Sequence, residues 1–131
     1  MFCDEDDLFQ NNCGLSLIFS EIDKKFDYLW SYFVAEDDGN YYDYTTDTNF
    51  IHGKVYSREF LLANNIRWNE KLRVHEDYYF NMLCQRLSGK TAVIPYPIYY
   101  WRTNPDSVSR QPDFPHKTYP ELIDVHDLII H

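Results

Sequence analysis

Met1-Phe2-Cys3-Asp4-Glu5-Asp6-Asp7-Leu8-Phe9 opens the chain with three apolar residues that run straight into four acids. Adjacent carboxylates repel one another unless solvent or a cation relieves them, and hard divalent ions take carboxylate oxygens together with substrate phosphates. By itself the tetrad reads either as a solvated acidic loop or as a cation site at a strand end. An EF-hand is excluded, because the alternation of ligands fails at Leu8 and Phe9 stands where that loop requires glycine.

Charge follows the same asymmetry. The 131 residues carry 12 Lys and Arg against 21 Asp and Glu, a formal charge of −9. Twelve of the acids but only two of the bases lie in residues 1 to 50. A surface of that sign repels a phosphate backbone, which excludes duplex nucleic acid as the expected partner. With 44% hydrophobic and 18% aromatic residues the chain can bury a core. Cys3, Cys13 and Cys84 are too widely spaced for a zinc knuckle and odd in number, so they read as reduced thiols. No basic, apolar leader begins the sequence and no apolar run reaches the roughly 18 residues of a membrane span. A cytoplasmic protein without a membrane span is expected.

Further along, helix and strand signals alternate. Asn12 is placed to cap a helix with Leu15, Ile18, Phe19 and Ile22 on one face, packed on a sheet. Tyr28 to Ala35 and Tyr41 to Thr46 read as strands joined by a turn at Asp38-Gly39, the second of them half-buried. Ser57 caps a short helix through Phe60 that ends at Asn64-Asn65, and Asn69 to Val74 reads as loop. From Glu76 a helix places Phe80, Leu83, Cys84 and Leu87 on one face. Thr91 to Ile94 and Ile98 to Trp101 read as separate short strands, with Pro95 and Pro97 between them. Pro112, Pro115 and Pro120 predict an irregular stretch before a helix from Glu121.

Three more groups could carry chemistry. His75-Glu76-Asp77 offers a general base at a helix start, although acids there also simply complement the helix dipole. Arg102 with Ser107, Ser109 and Arg110 suits a phosphate-gripping loop, or is ordinary surface. In His52-Gly53-Lys54 the glycine permits close backbone approach and the histidine a ligand bond, unless the segment merely joins a strand to a helix. His116, His126 and His131 have no metal-ligand spacing.

Taken in order, Asp4-Glu5-Asp6-Asp7-Leu8-Phe9, a helix, an aromatic hairpin, His52-Gly53-Lys54-Val55-Tyr56-Ser57-Arg58-Glu59-Phe60-Leu61, Asn65 to Glu70, His75-Glu76-Asp77 and Tyr99-Tyr100-Trp101-Arg102 with Ser107 to Arg110 resemble family 2 glycosyltransferases over residues 1 to 110. The resemblance implies an α/β chain with a partial GT-A fold, a nucleotide-diphospho-sugar transferase-like mixed sheet flanked by helices. Its N-terminal nucleotide-binding half is expected to be missing. Residues 1–110 would form the truncated transferase-like domain, and 111–131 a C-terminal loop and helix extension.

The roles implied follow the motifs. Asp4, Asp6 and Asp7 would hold Mg²⁺ or Mn²⁺ on the diphosphate of a nucleotide sugar. Asp77, with Glu76 beside it, would deprotonate a glycan or other hydroxyl acceptor in an inverting transfer. His52, Lys54, Arg102, Ser109 and Arg110 would contact substrate. A non-catalytic remnant that binds glycan or assists assembly is the alternative. Without the nucleotide half, inefficient turnover and association with itself or a partner chain are expected.

Overall fold

Tyr28–Asp37 (β2) is the central strand of the protein, whose computed structural model describes residues 1–10, 12–47, 49–107 and 114–130. Its alternating side chains enter different cores, as a period of two requires. Tyr28 joins Ile51, Tyr56, Phe60, Ile66, Phe80 and Cys84, whereas the next residue, Leu29, packs with Ile18, Ile94 and Ile98. Burial on both faces explains why the strand is hydrophobic almost throughout.

Beside β2 lie Thr91–Trp101 (β5), parallel to it, and Asn40–Tyr44 (β3) and Lys54–Tyr56 (β4), both antiparallel. Leu8–Phe9 (β1) pairs with Tyr99 and Tyr100 at the far side of β5. The order β1-β5-β2-β3, with β4 also on β2, makes a mixed sheet among the described residues. Helix Gly14–Ile22 (α1) contributes to one core through Ile18, and Arg58–Ala63 (α2) and Glu76–Leu87 (α3) contribute to the other. This is the flanked mixed α/β sheet expected from the sequence.

The turn chemistry also matches. Asp38 and Gly39 both have positive φ, at 49° and 75°, and close a two-residue hairpin between β2 and β3. The Ser57 hydroxyl accepts the Phe60 N–H at 3.3 Å, and Asn65 takes the left-handed conformation just beyond α2.

Five expectations need correction. Met1 to Asp4 form no strand: Met1 packs against the Leu29 core and against a third cluster of Phe33, Ala35 and Tyr99, and Phe2 against Trp68 and Phe80, so tertiary packing fixes them and β1 follows the acids. α1 begins after Cys13, not Asn12, without a side-chain cap, and its buried face is Gly14 and Ile18. Leu15, Phe19 and Ile22 are exposed, because Gly14 brings the helix so close to β5 that a Cβ there would lie 3.3 Å from that of Ile98. β3 is an exposed edge rather than half-buried, although Tyr44 stacks on Phe33 at 4.5 Å. β5 is one strand, its prolines absorbed by register shifts opposite Ser31, Tyr32 and Phe33. Phe114–Ile130 (α4) runs helically through Pro120, with Thr118 and Val125 buried; packing outweighs the lost hydrogen bond.

Candidate active site

Asp4, His52, Glu76 and Asp77, four residues scattered through the sequence, line one cleft of about 620 Å³. Trp101, at the C-terminal end of β5, and Phe50 give it an aromatic wall, and Leu122 and His126 of α4 also line it. The cleft opens at the carboxyl end of the parallel strand pair, where open α/β sheets commonly place ligands.

The acid cluster is split by its hydrogen bonds. Asp7 is buried, and its carboxylate accepts the Tyr99 hydroxyl at 2.6 Å and the Arg102 N–H at 2.9 Å. Asp6 accepts from the Asn104 amide at 2.6 Å. Asp4 reaches the cleft, and burial, followed by the charges of Asp6 and Asp77, pushes its carboxyl above the ordinary range. Among the described residues no group of three His, Cys, Asp or Glu side chains is arranged to hold a metal ion. Asp7 is 6% exposed and each of its oxygens already accepts a hydrogen bond within the fold, so it is the least available of the three expected ligands. Asp4 and Asp6 remain, and a Mg²⁺ site that shares its ion with substrate phosphates needs only one or two carboxylates.

His75, which also lines the cleft, adopts the left-handed conformation with φ 61° and starts α3. That turn delivers Glu76 and Asp77 to the cleft in the first turn of the helix, where the dipole favours anions. Asp77 accepts the Tyr78 N–H at 2.7 Å. Burial nevertheless raises its proton affinity, and that of Glu76, whose carboxyl the charges of Asp77 and Glu121 push up further.

His52 is 5% exposed and lies in an aromatic box, with ring centroids 4.6 Å from Trp101, 5.2 Å from Tyr99 and 5.8 Å from Phe50. Burial first, and Lys54 second, lower its pKa to about 4, so the ring is neutral at pH 7. Its Nδ1 is buried with no hydrogen-bond partner among the described residues, while the residue itself lines the cleft.

Lys54 is expected to contact substrate, but it is fully buried. Its ammonium donates to the His52 carbonyl at 3.0 Å, lies 3.7 Å from the Asp47 carboxylate and sits over the Phe33 ring. It supports the box from beneath. Gly53 makes this possible: with φ 67° it passes Ser31 so closely that a Cβ would stand 2.7 Å from the Ser31 Oγ. Arg102 is exposed and reaches the site through its backbone, to Asp7. Ser109 and Arg110 lie outside the described residues.

Sequence reasoning missed Phe50, Arg73 and the α4 residues as lining of the cleft. It also missed Asn81, which is buried in α3, accepts the Tyr56 hydroxyl at 3.1 Å and donates to the carbonyls of Asn49 and Phe50. Asn81 thereby holds the Phe50 segment against α3. A polar residue between Phe80 and Cys84 on the buried face of a helix was the available signal.

No protein-family model matches the sequence, and no curated protein matches it. Among solved structures, the chain is similar to S. aureus TarS 1–349 in complex with UDP-GlcNAc, with TM-score 0.71 and 20% identity over 98% of this chain and 40% of that one. It is similar to S. aureus TarS 1–349 in complex with UDP at TM-score 0.63 and 22% identity, over 80% of this chain and 36% of the other. For S. aureus TarS itself the values are 0.69 and 21%, over 98% and 23%. TarS is a glycosyltransferase, and at such identities the likeness is one of fold. The mixed sheet and its helices match part of a glycosyltransferase fold, and the chain spans about two fifths of the length of the TarS 1–349 chains.

Proposed function

We propose that this chain carries the acceptor side of a family 2 glycosyltransferase site, which transfers a sugar from a nucleotide donor to a hydroxyl acceptor with inversion. The observation that carries the reading is that Asp4 and Asp77 line one cleft, near enough for the charge of Asp77 to push the Asp4 carboxyl up.

In this reading Asp77 takes the proton of the acceptor hydroxyl as that oxygen forms its bond to the anomeric carbon. The bond from that carbon to the diphosphate oxygen breaks on the opposite face, with its electron pair leaving on the diphosphate. The raised proton affinity of Asp77 suits a base better than an ordinary exposed aspartate would. Phe50 and Trp101 exclude water and offer apolar faces to a sugar ring, with the neutral His52 ring packed beside Trp101 in the same wall. Asp4 and Asp6 would hold Mg²⁺ or Mn²⁺, which supplies charge neutralisation on the departing diphosphate. Asp7 instead fixes the strand end at Tyr99 and the loop at Arg102.

The structures of TarS with UDP and UDP-GlcNAc make uridine nucleotides the first donors to test. Binding of UDP with Mn²⁺, measured by calorimetry and weakened by Asp4→Ala, supports the reading; UDP binding indifferent to that substitution and to the ion contradicts it. A second reading, a glycan-binding or assembly module without turnover, is favoured by one fact: Asp7 of the acid cluster is taken up by the Tyr99 hydroxyl and the Arg102 N–H. Glycan binding without donor binding would select it.

A further inference from the structure

The backbone turn that aims Asp77 is restrained from outside α3. A left-handed conformation costs a residue with a side chain about 1 kcal/mol and persists only where its surroundings over-determine it. His75 is in that conformation, immediately before Glu76 and Asp77. The two residues preceding it are held by one carboxylate of α4: Glu121 Oε1 accepts the Val74 N–H at 2.7 Å, and Oε2 accepts the Arg73 N–H at 3.2 Å.

α4 is itself anchored on α3. The Arg86 guanidinium donates to the Ile129 carbonyl at 2.6 Å, and the rings of Tyr78 and His126 meet edge to face with centroids 5.6 Å apart. The Glu121 carboxylate therefore ties a docked helix to two successive amides in the turn that precedes the acids. Glu121 does not line the cleft, whereas its neighbour Leu122 does, so its action on substrate is indirect. Its charge is near enough to push the Glu76 carboxyl up.

We propose that Glu121 is a positioning residue of this site: by clamping the amides of Arg73 and Val74 it fixes the left-handed turn at His75, and with it the direction in which Asp77 enters the cleft. The function assigned to the clamp rests on Asp77 being the base. The clamp also makes α4 a working part of the site, since a helix that undocks would release the turn.

Two measurements on the same variants test this. Residue-resolved amide exchange of Glu121→Ala should show Arg73 and Val74 exchanging about tenfold faster or more, the loss of a charge-assisted hydrogen bond, with Leu29 and Phe80 unchanged. Glu121→Gln, which keeps one acceptor oxygen, should fall between the parent and Glu121→Ala. In a transfer assay kcat should fall roughly tenfold to a hundredfold while the donor KM stays put, because the reacting geometry and not donor binding is disturbed. Unchanged exchange at Val74 overturns the proposal, as does faster exchange with kcat intact. If the parent transfers no sugar, the reading of Asp77 as a base fails, and exchange at Val74 still decides whether Glu121 holds the turn.

Discussion

The Tyr99 hydroxyl donates a 2.6 Å hydrogen bond to Asp7, and this bond divides the acid tetrad into a part that holds the fold and a part that faces the cleft. Tyr99 is 1% exposed, so the pair ties the end of β5 to the turn that carries Asp4 and Asp6.

Asp7→Ala should consequently lower unfolding stability by about 2 kcal/mol, since it leaves the Tyr99 hydroxyl and the Arg102 amide unsatisfied. Asp6→Ala should cost about 1 kcal/mol or less and should abolish Mn²⁺ binding in the presence of UDP. Urea titration and calorimetry check the two halves. Equal stabilities, or unaltered Mn²⁺ binding in Asp6→Ala, would refute the division.

Lys54→Met should destabilise the chain by about 3 kcal/mol, because it strands the Asp47 carboxylate and the His52 carbonyl of a buried pair. Any loss of donor binding should track the unfolded fraction. A folded, equally stable Lys54→Met that no longer binds UDP would return the lysine to the substrate-contact role.

His52 gives a signed pH dependence. Its pKa falls from the usual 6.5 to about 4 on folding, so between those values the unfolded chain holds the extra proton. Stability contributed by the neutral ring is complete above pH 6.5 and is lost as pH falls toward 4, by about 3 kcal/mol at 1.36 kcal/mol per pH unit. The raised carboxyls of Asp4, Asp7, Glu76 and Asp77 act with the opposite sign, so the test is a difference between variants. His52→Leu should lack this part of the acid slope in denaturation curves from pH 4 to 7. Parallel slopes in the two proteins would show that His52 is not buried neutral.

The α1 faces show where the sequence is ambiguous. Leu15, Ile18, Phe19 and Ile22 form a plausible stripe by spacing, yet only Ile18 is buried and the close contact comes from Gly14. Ile18→Ala should cost about 2 to 4 kcal/mol, and Phe19→Ala less than about 1 kcal/mol. Thermal unfolding distinguishes them; reversed costs would restore the predicted stripe.

Local chemistry was legible wherever it is local in the fold. The Asp38-Gly39 hairpin, the Ser57 cap and the start of α3 depend on neighbouring residues, and they stand where the sequence puts them. The approach of Asp77 to Asp4 could be proposed only from the order of the motifs. Bonds over long separations were not legible: Asp7 to Tyr99, Asn81 to Phe50 and Glu121 to Val74 join residues whose spacing carries no periodic signal. Proline misled twice, in β5 and α4, because the register shifts and the packing that offset it are tertiary.

The central claim is that Asp77 is the base of a sugar-transfer site, and a single-turnover assay with a panel of nucleotide sugars and a polyhydroxyl acceptor tests it most directly. The account predicts slow formation of a glycoside with inverted anomeric configuration, observable by NMR. With Asp77→Asn it predicts loss of at least about a hundredfold in rate, on the scale of general base catalysis, with nucleotide binding unchanged. Product formed by Asp77→Asn at the parental rate, or a retained configuration, would contradict it.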